Sequence, residues 1–239
     1  MKDPKDYIVF PLDVPTLNEA MNLVRILQDE VGLFKVGLQL FISTGPKVVQ
    51  YIKDSSSAGV FLDLKLHDIP DTVKKGVEAA ARLNVTFVTV HTYGGERILR
   101  SAVSGGGEKT KVLGVTVLTS SDKESLRDLR FSGESVSDIS RLVLHRASLA
   151  RKAGCAGVIC SGLEVAGIKQ RFGKDFIAVV PGIRPTWSVI SGDDQRRITT
   201  PAQAVQNGAD YIVVGRPIRT APDPKEAAMR IAEEIRTVL

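Results

Sequence analysis

The sequence predicts an α/β protein folded as a single (β/α)8 TIM barrel, and three observations lead to this prediction. The chain has 239 residues, which is about the length that eight strand–helix units need. Eight short runs rich in β-branched residues alternate with segments of helical periodicity. No stretch rich in Pro, Gly or Ser marks a domain boundary, so one domain over residues 1–239 is expected.

The predicted strands are almost continuously apolar, which is typical of parallel strands buried on both faces. In chain order they are Tyr7–Asp13, Phe34–Gly37, Gly59–Lys65, Phe87–His91, Lys111–Leu118, Gly157–Ser161, Phe176–Ile183 and Tyr211–Arg216. Regular alternation with helices leaves either an open doubly wound sheet or a closed barrel. No G-x-G-x-x-G motif follows the first strand, as a dinucleotide-binding sheet would require. The closed barrel is therefore favoured.

The helices are predicted from apolar residues that recur on one face. The clearest segments are Thr16–Glu30, Glu78–Leu83, Val136–Ala153 and Pro224–Leu239. Helix starts are predicted at four residues with short polar side chains, namely Thr16, Asp71, Ser135 and Asp223. The glycine run at Gly105–Gly107 predicts a surface turn.

Composition excludes several classes of protein. An apolar fraction of 43% with a net charge of +5 argues against a disordered chain. Basic residues occur at most in pairs and aromatic residues do not cluster, so we expect no nucleic-acid binding. No segment resembles a targeting signal or a membrane span. Cys155 and Cys160 have no partners at metal-ligand spacing and predict buried thiols. A cytoplasmic protein that binds no membrane is expected.

Charged side chains lie in or just after five of the apolar strands, at the end where such barrels build their active sites. Asp63 and Lys65 are two apart on the third strand, so both face the barrel mouth. Lys35 on the neighbouring strand and Asp68 can join them in an alternating array of carboxylates and ammonium groups. Carboxylates keep a lysine protonated, which makes it a proton donor rather than a Schiff-base nucleophile. A set of purely structural salt bridges is the alternative.

The eighth strand ends in a glycine and an arginine that predict a phosphate site. Gly215 permits close backbone approach, and Arg216 can make a bidentate contact with a phosphate. Arg184 follows the seventh strand and opens a long connection to Pro201, which predicts a lid. A phosphorylated small molecule is therefore the expected substrate.

No metal site is predicted. The three histidines are too dispersed in the sequence to form a ligand set. Asp63 and Asp68 could bind Mg²⁺, but Lys65 lies between them and would compete with the ion.

The segment Asp63–Val73, D-L-K-L-H-D-I-P-D-T-V, resembles the signature of the orotidine 5′-monophosphate decarboxylase family. The resemblance extends along the whole chain. The matching motifs are F-P-L-D at Phe10–Asp13, F-K-V-G at Phe34–Gly37, V-T-V-L-T-S at Val115–Ser120, P-G-I-R-P at Pro181–Pro185 and V-V-G-R-P-I at Val213–Ile218. The D-x-K-x-x-D core alone is shared with related barrels that act on sugar phosphates, and the other motifs are more specific.

The resemblance implies a cofactor-free enzyme that makes uridine 5′-monophosphate in the last step of de novo pyrimidine synthesis. By the family pattern, Lys35, Asp63, Lys65 and Asp68 form the catalytic array, and Lys65 delivers a proton to C6. The family also forms homodimers in which Asp68, Ile69 and Thr72 reach into the partner's site.

The resemblance assigns the remaining substrate contacts as well. Asp13 and Lys35 are expected at the ribose, and Thr119 and Ser120 near the pyrimidine. The phosphate contacts and the lid hinge are expected at Gln195, Gly215, Arg216 and Arg184.

Two other interpretations remain open from the sequence. A Mg²⁺-dependent sugar-phosphate decarboxylase, aldolase or epimerase can use the same barrel and would lose activity in EDTA. A non-catalytic nucleotide-binding barrel would bind nucleotide without turnover, although such a module has no use for a buried array of carboxylates and ammonium groups.

Overall fold

A computed structural model describes residues 2–131, 133–188 and 197–239, and its strands close into a barrel. Each strand pairs in parallel with the next, and the eighth pairs with the first. The strands are β1 Ile8–Pro11, β2 Leu33–Gly37, β3 Gly59–Leu66, β4 Phe87–His91, β5 Lys111–Val115, β6 Gly157–Ile159, β7 Ile177–Val180 and β8 Tyr211–Val213. The predicted (β/α)8 fold is confirmed.

Helices follow the strands around the outside of the barrel. They are α1 Leu17–Leu27, α2 Leu38–Thr44, α3 Lys47–Ser55, α4 Pro70–Arg82, α5 Gly95–Gly106, α6 Lys123–Asp128, α7 Glu134–Ser137, α8 Ile139–Ala153, α9 Val165–Phe172, α10 Pro201–Gln206, α11 Arg216–Arg219 and α12 Pro224–Arg236. Two short 3-10 helices span Pro4–Tyr7 and Thr92–Gly94. In the described ranges, no helix combines the length and the apolar character that crossing a membrane requires.

Two of the four predicted helix starts are correct. Thr16 and Asp223 accept hydrogen bonds from backbone N–H groups in the first turns of α1 and α12. Asp71 is not a cap, because α4 begins one residue earlier at a proline whose fixed φ suits the first helical position. Ser135 lies inside the short helix α7, and the side chain of Asp138 caps α8 instead.

The prediction of a surface turn at the glycine run is wrong for its first two residues. Gly105 and Gly106 are the last residues of α5 and are buried, and only Gly107 has the positive φ of a turn, at 57°. The reason is packing between helices. A Cβ atom on Gly105 would lie 2.5 Å from the carbonyl oxygen of Lys74 on α4, so the two helices approach more closely than a larger side chain allows.

Side chains on each strand alternate between the barrel interior and the surrounding helices. The interior is closed by an apolar layer formed by Val9, Leu33, Phe61, Phe87, Leu113 and Val179. Residues between them, such as Phe10, Phe34 and Leu62, pack towards the helices. Because the apolar layer fills the interior, a pocket remains at the carboxyl ends of the strands.

One irregularity interrupts the sheet between β3 and β4. Leu62 pairs with Val88 and Leu66 pairs with Val90, so four steps along β3 correspond to two along β4. Lys65 lies inside this bulge with a φ of 49°, in the left-handed region that residues other than glycine seldom adopt. The bulge therefore changes the direction of the strand beside Lys65.

Candidate active site

A cavity of about 470 Å³ opens at the carboxyl ends of the strands. Its volume lies in the range of small-molecule sites, roughly 300–1,000 Å³. Most of the residues predicted for substrate binding and catalysis line it, namely Asp13, Lys35, Asp63, Lys65, Thr119, Ser120, Arg184, Gly215 and Arg216. The cavity therefore brings together side chains that are as much as 203 positions apart, from Asp13 to Arg216.

The ends of β1, β2 and β3 contribute a connected array of charges. The Lys65 Nζ lies 2.7 Å from the Oδ2 of Asp63, and the Lys35 Nζ lies 3.6 Å from the same oxygen. Lys35 also lies 3.3 Å from the Oδ1 of Asp13. The Lys35 and Asp63 side chains are mostly buried, whereas the Lys65 side chain is 31% exposed and faces the cavity. Of the two lysines paired with Asp63, Lys65 is therefore the one that a ligand in the cavity can contact more readily.

The electrostatics keep Asp63 ionised. Burial by itself raises the pKa of this carboxyl group, but the charges of Lys35 and Lys65 and hydrogen bonds from Lys65 and Thr89 oppose burial. Their combined effect lowers the pKa of Asp63 below its ordinary value. Asp63 is therefore a carboxylate at neutral pH, and the Nζ atoms of Lys35 and Lys65 lie beside it.

The cavity is also lined by arginine side chains that follow β7 and β8. Arg184, Arg216 and Arg219 line it together with Gly215. A Cβ atom on Gly215 would lie 2.9 Å from the Cγ of Pro11, so this backbone position has no room for a side chain. Arg219, which the sequence analysis missed, donates a hydrogen bond to the carbonyl oxygen of Asp13. Its spacing of three residues from Arg216 on a helix was the available signal.

Apolar side chains form much of the remaining wall. These residues are Pro11, Phe61, Val115, Val117, Leu118, Ile159, Pro181 and Val213. The sequence analysis did not select them because they are ordinary strand residues. A wall of this kind suits the faces of a flat ring, while Thr119 and Ser120 supply hydroxyl groups at its edge.

Asp68, Ile69 and Thr72 do not line the cavity of their own chain. All three are exposed, and an oxygen of Asp68 accepts a hydrogen bond from the backbone N–H of Ile69 at 2.6 Å. The idea that Asp68 joins the array within one chain is therefore wrong, because the chain turns outward after β3 to begin α4. Their expected role in a partner's site remains a prediction.

The structure describes the connection after β7 up to Ser188 and again from Arg197. Gln195 falls outside the described residues. Trp187 packs beneath Arg230 of α12, with the guanidinium 4.3 Å from the ring centre, and does not line the main cavity.

The far end of this connection is anchored by a buried ion pair. The Arg197 Nη1 lies 2.7 Å from the Oε1 of Glu164, and its Nη2 donates to the carbonyl oxygens of Val117 and Leu118. The other oxygen of Glu164 accepts from the backbone N–H of Ser161 at 3.0 Å. The base of the connection is thus tied to the segments that follow β5 and β6.

Among residues 2–131, 133–188 and 197–239, no group of three or more His, Cys, Asp or Glu side chains is placed to hold a metal ion. The two carboxylates considered for Mg²⁺ are apart, since Asp63 is paired with lysines and Asp68 faces outward. His67 and His91 lie side by side, 6.0 Å between ring centres, and do not line the cavity. Burial, followed by the charge of His67, lowers the pKa of His91.

Comparison with known proteins identifies the family. The model of the orotidine 5′-phosphate decarboxylase / HUMPS family matches residues 6–231. The chain belongs to this family. The resemblance seen in the sequence motifs is confirmed.

Relatives within the family match over almost the whole chain. The orotidine 5′-phosphate decarboxylase of Desulfosudis oleivorans is 51% identical, covering 99% of this chain and 95% of the relative. That of Geotalea uraniireducens is 45% identical, covering 97% and 95%. The crystal structure of the Lactobacillus acidophilus orotidine 5′-phosphate decarboxylase superposes with a TM-score of 0.82 at 36% identity, covering 95% of this chain and 98% of that one.

Proposed function

We propose that this protein converts orotidine 5′-monophosphate to uridine 5′-monophosphate and CO2, in pyrimidine biosynthesis. The observation that carries the proposal is the Lys35–Asp63–Lys65 array in a cavity that arginine side chains also line. Family membership and full-length relatives of that activity agree with it.

Lys65 is the proposed proton donor. As the bond between C6 and the carboxylate breaks, its electron pair stays on C6, where no conjugated group can take up the charge. An ammonium group fixed at that position stabilises the developing carbanion and then transfers a proton to C6. CO2 leaves, and the neutral amine regains a proton from water. Asp63 holds the lysine in place through the 2.7 Å ion pair.

The remaining side chains are proposed to bind the nucleotide. Arg216, the Gly215 backbone and Gln195 take the phosphate, and Arg184 lies at the hinge of the predicted lid. Binding energy gained at the phosphate, far from C6, organises the site and assists the chemical step. Asp13 and Lys35 contact the ribose, and Thr119 and Ser120 contact the pyrimidine.

A homodimer with shared active sites is part of the proposal. Asp68, Ile69 and Thr72 contribute to the partner's cavity, which supplies the fourth charge that one chain lacks. The exposure of Ile69 supports the idea, since this large apolar side chain is 66% exposed in the single chain.

We also propose one domain over residues 1–239, a cytoplasmic location and no requirement for a cofactor or metal. Both cysteines are free and buried, and burial raises the pKa of Cys155 to about 12. Inert, reduced thiols of this kind suit a reducing compartment.

The test is a turnover assay in EDTA that follows the loss of orotate absorbance. The wild type is expected to convert the substrate fully. Lys65→Ala is expected to lose nearly all turnover because the proton donor is gone. Arg216→Ala is expected chiefly to raise KM, by about 10-fold or more, because it removes a charge-assisted phosphate contact.

The outcomes separate the hypotheses. A folded wild type without turnover in EDTA, but active with Mg²⁺ on a sugar phosphate, would favour the metal-dependent alternative. Saturable nucleotide binding without any turnover would favour a binding module. Full activity in Lys65→Ala would contradict the role given to that lysine.

A further inference from the structure

Thr89 is a buried polar residue directly behind the charge array. It is the third residue of β4 and is fully buried, with no exposed surface. Strand alternation directs it into the barrel above Phe87 of the apolar interior layer. A hydroxyl group at such a position must be satisfied by protein partners, since water does not reach it.

The Thr89 hydroxyl makes two hydrogen bonds, both to the segment that carries the proposed proton donor. It donates to the Oδ1 of Asp63 at 2.9 Å and accepts from the backbone N–H of Lys65 at 2.9 Å. The ammonium group of Lys65 uses the other carboxylate oxygen of Asp63. The two oxygens of Asp63 are therefore divided, one to the threonine and one to the lysines, which fixes the rotation of the carboxylate.

The backbone of Lys65 depends on the same hydroxyl group. Lys65 lies in the β3 bulge with a φ of 49°, where the register of β3 against β4 is shifted. The Thr89 Oγ1 meets the N–H of this left-handed residue. One hydroxyl group thus holds both the backbone of Lys65 and the carboxylate to which its side chain is paired.

We propose that Thr89 is a positioning residue, whose hydroxyl group sets the place of the Lys65 ammonium by holding Asp63 and the β3 bulge together. The inference rests on the proposed role of Lys65 as proton donor. Thr89 is not among the residues that line the cavity, so its effect passes through Asp63 and Lys65. Because proton transfer is sensitive to the placement of the donor, a misplaced ammonium group lowers kcat more than it weakens substrate binding.

The experiment compares three variants in steady-state assays. Thr89→Val keeps the shape and removes the hydroxyl group, and we expect kcat to fall by about 10- to 100-fold while KM changes by less than about 3-fold. Thr89→Ser restores the hydroxyl group and is expected to recover most of kcat. Thr110→Val is the matched control, because Thr110 is also buried and donates its hydroxyl to the carbonyl oxygen of Val85, remote from the cavity.

The readout separates positioning from general loss of stability. Thr110→Val is expected to lose stability without losing kcat, and both effects are measured on the same preparations by urea unfolding and turnover. If Thr89→Val does not fold, Thr89→Ala and Thr89→Ser provide the same comparison. Unchanged kcat without the hydroxyl group, equal loss in Thr110→Val, or failure of serine to restore kcat would overturn the inference.

The inference can fail without the proposed function failing. If the wild type is active, Lys65→Ala is inactive and Thr89→Val is fully active, only the role proposed for Thr89 is contradicted. If the wild type itself is inactive, the proposed function is contradicted.

Discussion

At the scale of single residues, Asp63 joins catalysis to stability. A carboxylate this deeply buried would destabilise the fold if it stood alone. Two ammonium groups and a threonine hydroxyl compensate it and lower its pKa, despite the opposing effect of burial. The charges proposed to act on the substrate thus also offset the energetic cost of burying one another.

The lowered pKa predicts a dependence of stability on pH. Unfolded Asp63 has the ordinary pKa of about 3.9, and the folded value is lower. Its ionised form therefore stabilises the protein fully above the unfolded pKa, and this contribution disappears as the pH falls through the folded value. We expect the stability gap between wild type and Asp63→Asn to be constant above about pH 5 and to shrink below about pH 4.

Urea unfolding at a series of pH values measures this gap. Asp175→Asn provides the comparison, because Asp175 is exposed and lies far from the array in the fold. A gap that widened in acid would contradict the direction given for Asp63.

The sequence reveals the charged residues of the site more readily than the neutral ones. Asp63, Lys65 and Lys35 are visible because charges are costly inside apolar strands and so demand an explanation. Thr89 is not visible, since threonine is common in strands and only its hydrogen bonds distinguish it. Residue spacing places Asp68 beside the array, but the outward turn after β3 is a matter of chain direction that spacing does not reveal.

At the scale of elements, α4 and α5 form a close helix pair in the outer layer. Gly105 makes the approach possible, because any side chain there would meet the Lys74 carbonyl group. A Cβ atom on Gly106, the next residue, would lie 3.5 Å from the nearest atom, a methyl carbon of Val112, which is an ordinary contact distance. Adjacent glycines in one helix therefore carry different steric restrictions.

This difference predicts opposite effects of one substitution. Gly105→Ala is expected to destabilise the protein by about 1–3 kcal/mol, because the helices must separate. Gly106→Ala is expected to be neutral or stabilising by up to about 1 kcal/mol, from the higher helix propensity of alanine. Thermal or urea unfolding of both variants measures the difference, and equal stabilities would show that the helix contact is not the cause.

Element types are predictable from apolar patterns, whereas boundaries depend on local chemistry. Thr16 and Asp223 are correctly predicted because their side chains satisfy free N–H groups. Asp71 and Ser135 fit the same pattern, but neither begins its helix. Helix α4 begins at the preceding proline, and the side chain of Asp138 caps α8. The glycine run is mistaken for a turn because close packing between helices has no signature in a single sequence.

At the scale of the whole molecule, the cavity of one chain is one part of the proposed site, and in the proposed homodimer a second chain supplies the rest. Each active site would take Lys65 from one subunit and Asp68 from the other. In a mixed dimer of Lys65→Ala and Asp68→Ala, one site then has both residues and the other has neither.

Mixing the two inactive variants is therefore expected to restore activity. With random exchange, about half of the dimers are mixed and each has one intact site, so about a quarter of the wild-type activity returns. Lys65→Ala mixed with Asp63→Asn is the control, because both changes then affect residues from the same side of the interface. If subunit exchange is verified and neither mixture recovers activity, the proposal that Asp68 acts in the partner's site is contradicted.

The overall architecture is the most predictable level, because a chain of this length with eight apolar runs has few alternatives. The assembly is not predictable from patterns of burial, and it enters only through the family resemblance. The resemblance names Ile69, whereas the exposure of Ile42 is known only from the fold.

The pairing of β1 with β8, which closes the barrel, has a consequence for synthesis of the chain on the ribosome. The first strand pairs with the last, and Arg219 reaches the backbone of Asp13. A growing chain therefore carries most of its charge array long before it has the arginines that complete the cavity. Synthesis must therefore be almost finished before the cavity is complete, and we expect chains that end before β8 to be inactive.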